Sequence, residues 1–95
     1  IAATAYDKNT NRLYFTPLHG NDLRYFDLSN SNTMVYVTNG TIKPTSQGVG
    51  EANNITRMTF AADGNGYALT NDGNHLVQFT SGTKVTINNL GALTD

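Results

Sequence analysis

The sequence predicts an all-β protein made of two four-stranded antiparallel units, and three observations predict it. One pattern is written twice. Residues 6–27 read as turn, Leu13-Tyr14-Phe15-Thr16, turn, Leu23-Arg24-Tyr25-Phe26-Asp27, and residues 60–80 read as turn, Tyr67-Ala68-Leu69-Thr70, turn, Leu76-Val77-Gln78-Phe79-Thr80. The composition is 38% hydrophobic and only 14% charged, and the remainder is rich in Asn, Thr, Gly and Ser, as suits short strands joined by tight turns. No stretch carries apolar residues at i, i+3, i+4, i+7 over a helical length.

The repeat has a register. Tyr6 and Phe60 lie 54 positions apart, as do Phe15 and Leu69, whereas Phe26 and Phe79 lie 53 apart. One residue is therefore expected to be missing from the turn before the third strand of the second unit. A period of this length filled with short strands indicates stacked, blade-like units.

Each element follows from local chemistry. Residues 1–6 are small and apolar and form a first strand, and 7–11 are a turn cluster. Residues 12–16 form the second strand, which Pro17 ends because it has no N–H to give to a ladder. Residues 19–22 turn the chain, with Gly20 and Asn21 suited to positive φ. Residues 23–28 and 33–38 are the third and fourth strands, separated by Ser29-Asn30-Ser31-Asn32. A polar connector with Pro44, Gly48 and Gly50 spans 39–54, well beyond the usual connection of about 4–6 residues.

The second unit repeats the plan. Strands are expected at 55–60, 66–70, 75–80 and 84–87. The turns are Asp63-Gly64-Asn65, the Asp72-Gly73 hairpin signal, and Ser81-Gly82-Thr83. Residues 88–95 read as the start of a further connector. The organisation is thus a unit at 1–38, a connector at 39–54, a unit at 55–87 and a tail at 88–95.

Arg12-Leu13-Tyr14-Phe15-Thr16 followed by Leu23-Arg24-Tyr25-Phe26-Asp27-Leu28 resembles the second and third strands of a YVTN-type β-propeller blade. Asp63-Gly64-Asn65-Gly66-Tyr67-Ala68-Leu69 resembles the matching segment of NHL-like bacterial propellers. The likeness covers nearly all of the chain except the connector. The literal string Tyr36-Val37-Thr38-Asn39 falls on the fourth strand, not the second, and is not counted. The resemblance implies two four-stranded antiparallel β-propeller blades, part of a larger ring.

Two blades share one interface and leave two outer faces uncovered, for which Leu13, Phe15, Leu69, Met58 and Phe79 are candidates. Full rings take typically about 4–8 blades. The chain, which begins at Ile1 without Met, is expected to be a processed or excised piece of a longer propeller. Otherwise, several copies close a ring, or another protein covers the faces. The absence of Trp disfavours a lectin-like ring, whose sugar sites favour aromatics.

Composition excludes several partners. The net charge is −1 and the six Lys and Arg are scattered, so nucleic acid has no basic patch to bind. No apolar run approaches the roughly 20 residues of a membrane-spanning helix. Without cysteine there is no disulfide framework and no thiolate metal site. The low-charge, Asn/Thr/Gly-rich surface leads to an expectation of a bacterial extracytoplasmic protein: secreted, periplasmic or at the cell surface.

Candidate site residues come from loops on one common face, as the resemblance implies. These are His19, Asp22, Asp72 and His75, with the connector, as a ligand or partner surface. Glu51 and Asn54 precede an innermost strand. In calcium-dependent lactonase-type propellers, such oxygens point into the channel, where a hard cation takes oxygen ligands. No H-x-x-x-H spacing, G-x-S-x-G elbow or phosphate-binding glycine loop occurs. Asp63-Gly64-Asn65-Gly66 lacks the later acid of a calcium loop, and a tight hairpin accounts for it. The expected function is a non-enzymatic interaction or ligand-binding scaffold within a secreted or envelope β-propeller. The alternatives are part of a calcium-dependent lactonase or hydrolase propeller, and a small lectin-like ring of several chains.

Overall fold

A computed structural model of the chain describes residues 3–17, 22–42, 55–70, 75–82 and 84–92. Among the described residues there are eight strands: β1 Ala3–Asp7, β2 Arg12–Thr16, β3 Asp22–Asp27, β4 Thr33–Thr41, β5 Ile55–Phe60, β6 Gly66–Thr70, β7 His75–Phe79 and β8 Ile87–Ala92. They form two four-stranded antiparallel sheets, ordered β1-β2-β3-β4 and β5-β6-β7-β8. No helix occurs among the described residues.

Aspartates set the turns. Asp7 Oδ1 accepts the amide of Asn9 at 3.0 Å, Asp27 Oδ1 that of Ser29 at 3.0 Å, and Asp63 Oδ1 that of Asn65 at 2.9 Å. A carboxylate bonding the amide two residues on mimics a turn of backbone, which is why Asp stands at these turns. Gly64 completes the Asp63 turn with φ 86, and its amide donates to Ala61 O at 3.0 Å.

Two strands depart from expectation. β4 runs on to Thr41 instead of ending at 38, and β8 occupies Ile87–Ala92 instead of 84–87. The second shift has a local cause. The Thr80 hydroxyl accepts the Thr86 amide at 2.9 Å and also approaches Lys84 O at 3.3 Å. This clasp holds Lys84 and Thr86 to the Thr80 side chain, so β8 begins only at Ile87, opposite Phe79.

The ladders identify which face of each sheet meets the other. Along an antiparallel strand, backbone groups point alternately to the two neighbouring strands, and side chains change face in step. In the first sheet the Leu28 amide donates to Asn11 O at 3.0 Å, in register with β2–β3. Leu13 and Phe15 therefore bond towards β3, and Arg12, Tyr14 and Thr16 towards β1. In the second sheet the Ala61 amide donates to Asn65 O at 3.0 Å and the Thr80 amide to Thr86 O at 2.9 Å. Tyr67 and Leu69 thus bond towards β5, and Gly66, Ala68 and Thr70 towards β7. The common core holds Ala3, Tyr14, Leu23 and Ile42 with Ile55, Ala68, Val77 and Phe79. Tyr14 and Ala68 are out of phase, so the two sheets meet through opposite faces, head to tail.

The same phase corrects the internal alignment. Phe26 pairs with Leu13, and Phe79 pairs with Gly66. Both phenylalanines are in the same phase, so they are equivalent, as expected. The missing residue, however, lies in the first hairpin of the second unit. Six residues separate the partners Tyr6 and Leu13, whereas five separate Phe60 and Gly66. The counterpart of Phe15 is consequently Ala68, not Leu69.

Equivalent residues have unlike surroundings because the packing is head to tail. Phe79 is fully buried against Tyr14 (ring centroids 5.2 Å) and Phe60 (5.4 Å). Phe26 stacks on Phe15 at 5.0 Å, on the outer face of the first sheet. Met58 also packs on the core. Of the candidates for uncovered faces, Leu13 and Leu69 stay half-buried on outer faces, Phe15 shares the outer face of the first sheet but is itself buried, and Met58 and Phe79 face the shared core. The second sheet meets the first most closely through β5 against β1, where Ala3 and Ala5 are small enough for close approach.

Candidate functional site

The junction of the two sheets holds a buried polar chain. Arg12 and Tyr14 are alternate residues of β2, so both side chains reach the inner face, and Asp7 ends β1 beside them. Arg12 Nη1 donates to Tyr14 Oη at 3.0 Å and to Gly82 O at 2.9 Å. Tyr14 Oη lies 2.8 Å from Ser81 Oγ. Arginine can only donate, so the Tyr14 oxygen accepts from it and the Tyr14 hydroxyl donates to Ser81. Ser81 Oγ lies 3.3 Å from Thr10 Oγ1, to which it donates, because the Thr10 hydroxyl itself donates to the Asp7 carboxylate at 2.6 Å. The chain runs with one polarity from a cation to an anion, across the two units.

Electrostatics follow from this arrangement. Burial pushes the Asp7 carboxyl up, but the Ser81 and Thr10 hydroxyls, the Asn9 amide and the Arg12 charge outweigh it and hold the group below its usual value. Burial pulls the Arg12 guanidinium down, and its bond to Tyr14 and its neighbours more than restore it. The guanidinium carbon also lies 4.3 Å from the centre of the Tyr25 ring, a cation–π contact. A carboxylate held low is a poor base, and Tyr14 is fully buried. The arrangement keeps Ser81 as a bridging hydroxyl, and its chemistry is that of a clasp between the units.

Beside the clasp the sheets part around a cleft of about 650 Å³. Tyr25, Val35, Val37 and Ile42 line one wall, and Val77, Val85 and Ile87 the other, with Lys84 as the charged lining residue. The lining is mixed, with Thr38, Thr41, Thr86 and Asn89 set among the apolar side chains, so the cleft offers both apolar contact and hydrogen-bonding groups.

The expected site residues are only partly described. Asp22 is exposed at the start of β3, where its Oδ1 accepts Thr41 Oγ1 at 3.1 Å and its Oδ2 lies 3.9 Å from Arg24 Nη2. His75 opens β7, half-buried, with its amide donating to Thr70 Oγ1 at 3.3 Å. These two positions are equivalent in the ladders but lie on opposite faces relative to the shared core. His19, Asp72, Glu51 and Asn54 lie outside the described residues. Among the described residues, no three of His, Cys, Asp and Glu gather as a metal set, and no helix is long and apolar enough to cross a membrane.

The clasp was not picked out from sequence. Asp7-x-x-Thr10 and Arg12-x-Tyr14 are the only local traces of it. Its closing partner Ser81 is 67 residues from Tyr14 and 71 from Thr10. Comparison of the chain with protein-family models, curated proteins and solved structures gave no match.

Proposed function

We propose that the chain is two consecutive blades of a β-propeller ring and serves as a non-enzymatic binding scaffold outside the cytoplasm, its contact surface lying between and around the blades. The observation that carries this reading is the head-to-tail use of opposite sheet faces. Back-to-back packing of like faces would close on itself, whereas head-to-tail packing leaves one face of each kind open and can be repeated until a ring closes. The small strand β1 against β5, and the cleft on the side of β4 and β8, fit units radiating from an axis.

The open face of the first sheet has the make-up of a contact surface. Arg24 lies over the Tyr36 ring at 4.7 Å, beside stacked Phe15 and Phe26. Met34 and Tyr36 are 40% and 62% exposed. Tyr, Phe, Met and Arg are the residues enriched in such patches.

Sedimentation tests the reading. The chain should self-associate with rising concentration, and Met34→Glu with Tyr36→Glu should abolish association without lowering the melting temperature. A chain that stays monomeric at every concentration, or association that survives both substitutions, would contradict it.

A further inference from the structure

We infer that β4 is a docking edge for an extended peptide, which would add as a fifth strand and place alternate side chains over the inter-sheet cleft. The inference concerns an edge and not a face, so it does not depend on ring closure.

β4 ends its sheet. Because Leu28 bonds Asn11, residues Tyr25 and Asp27 bond towards β4, and their partners are Val35 and Thr33. The N–H and C=O groups of Met34 and Tyr36 therefore point away from the sheet, spaced as a second strand requires. An open edge is ordinarily guarded by Lys, another charge or Pro. Thr33–Thr41 reads Thr-Met-Val-Tyr-Val-Thr-Asn-Gly-Thr and has none of these.

The opposite rim is less suited. β8 carries a register shift opposite Leu76 and Val77, Gly91 has φ 106, and Asn89 Oδ1 is occupied by the Gly91 amide at 2.9 Å. The ladder breaks there; β4 keeps register with β3 from Thr33 to Tyr36 and shifts beyond it, between Arg24 and Asp22, so the docking edge is Thr33–Tyr36.

The cleft specifies the occupant. Val35 and Val37 project from β4 into it, facing Val85 and Ile87 across it. A strand lying along β4 would present every second side chain to these walls, so apolar residues are favoured at the alternate positions that meet Val35, Val37, Val85 and Ile87. Lys84 on the lining favours an acidic residue among them. The partner is thus an extended segment of alternating apolar and polar residues with one carboxylate, recognised through its backbone and alternate side chains.

The test uses the full chain, isotope-labelled, and a capped synthetic peptide alternating Val and Thr with one Asp. Binding should slow hydrogen exchange at the Met34 and Tyr36 amides. Methylating the peptide nitrogens of one alternate set should weaken binding by about tenfold for each bond lost, and methylating the other set should leave it unchanged. Lys84→Glu should also weaken binding while preserving the fold. No binding at millimolar peptide would overturn the inference. So would equal sensitivity to both methylation sets, or exchange protection confined to residues outside β4.

Discussion

Gly66 is a residue that this packing does not allow to change. A methyl group at that position would run into the Phe79 ring, because the ring covers the site where a side chain would stand. Overpacking of a close core costs about 1–3 kcal/mol, so Gly66→Ala should lower stability by that amount in urea unfolding. Tyr14→Phe should cost about 1–3 kcal/mol, since it leaves Arg12 and Ser81 without the oxygen between them. The clasp also sets a pH dependence. Asp7 is held below the usual carboxylate value of about 3.9. Its stabilisation is thus fully present above that value and is lost as pH falls through the lower folded value. Acid melts should show the loss in the parent chain, and Asp7→Asn should flatten it. Asp63, bonded by the Tyr67 hydroxyl at 2.6 Å, is depressed as well but is exposed, so its share is smaller.

At the scale of elements, the head-to-tail arrangement assigns different costs to equivalent phenylalanines. Phe79→Ala should cost about 3–5 kcal/mol, as expected for a fully buried aromatic, and Phe26→Ala distinctly less. Equal costs in denaturant titrations would mean that the two faces had been misassigned. The comparison also indicates what the sequence could reveal. Turns at Asp7, Asp27 and Asp63 were legible because an aspartate two residues before an amide is local chemistry. β8 was not, because Lys84-Val85-Thr86-Ile87 reads well as a strand until the Thr80 hydroxyl takes the Thr86 amide. The alternation of Leu13, Tyr14 and Phe15 gives two faces but not which one meets a neighbour. That choice rests on ladder phase, which also moved the missing residue to the first hairpin. Of the candidate site, His75 opens its strand as expected and Asp22, expected in the preceding turn, opens β3, whereas the clasp joins residues too distant in sequence for any spacing rule.

For the whole molecule, the central claim is that the units repeat head to tail. The interior already contains one such junction, where Val35 and Ile87 line the two walls of the cleft. The equivalents of Ile87 and Val35 on the open faces are Met34 and Asn88, both exposed. In a continued stack, Met34 of one copy should face Asn88 of the next. The chain has no cysteine, so a pair can be introduced cleanly. Met34→Cys and Asn88→Cys chains, alone and mixed, would be treated with a short bis-maleimide. The account predicts efficient cross-linking only in the mixture, as a product containing one chain of each kind. Efficient cross-linking of either variant with itself, or none in the mixture, would contradict it.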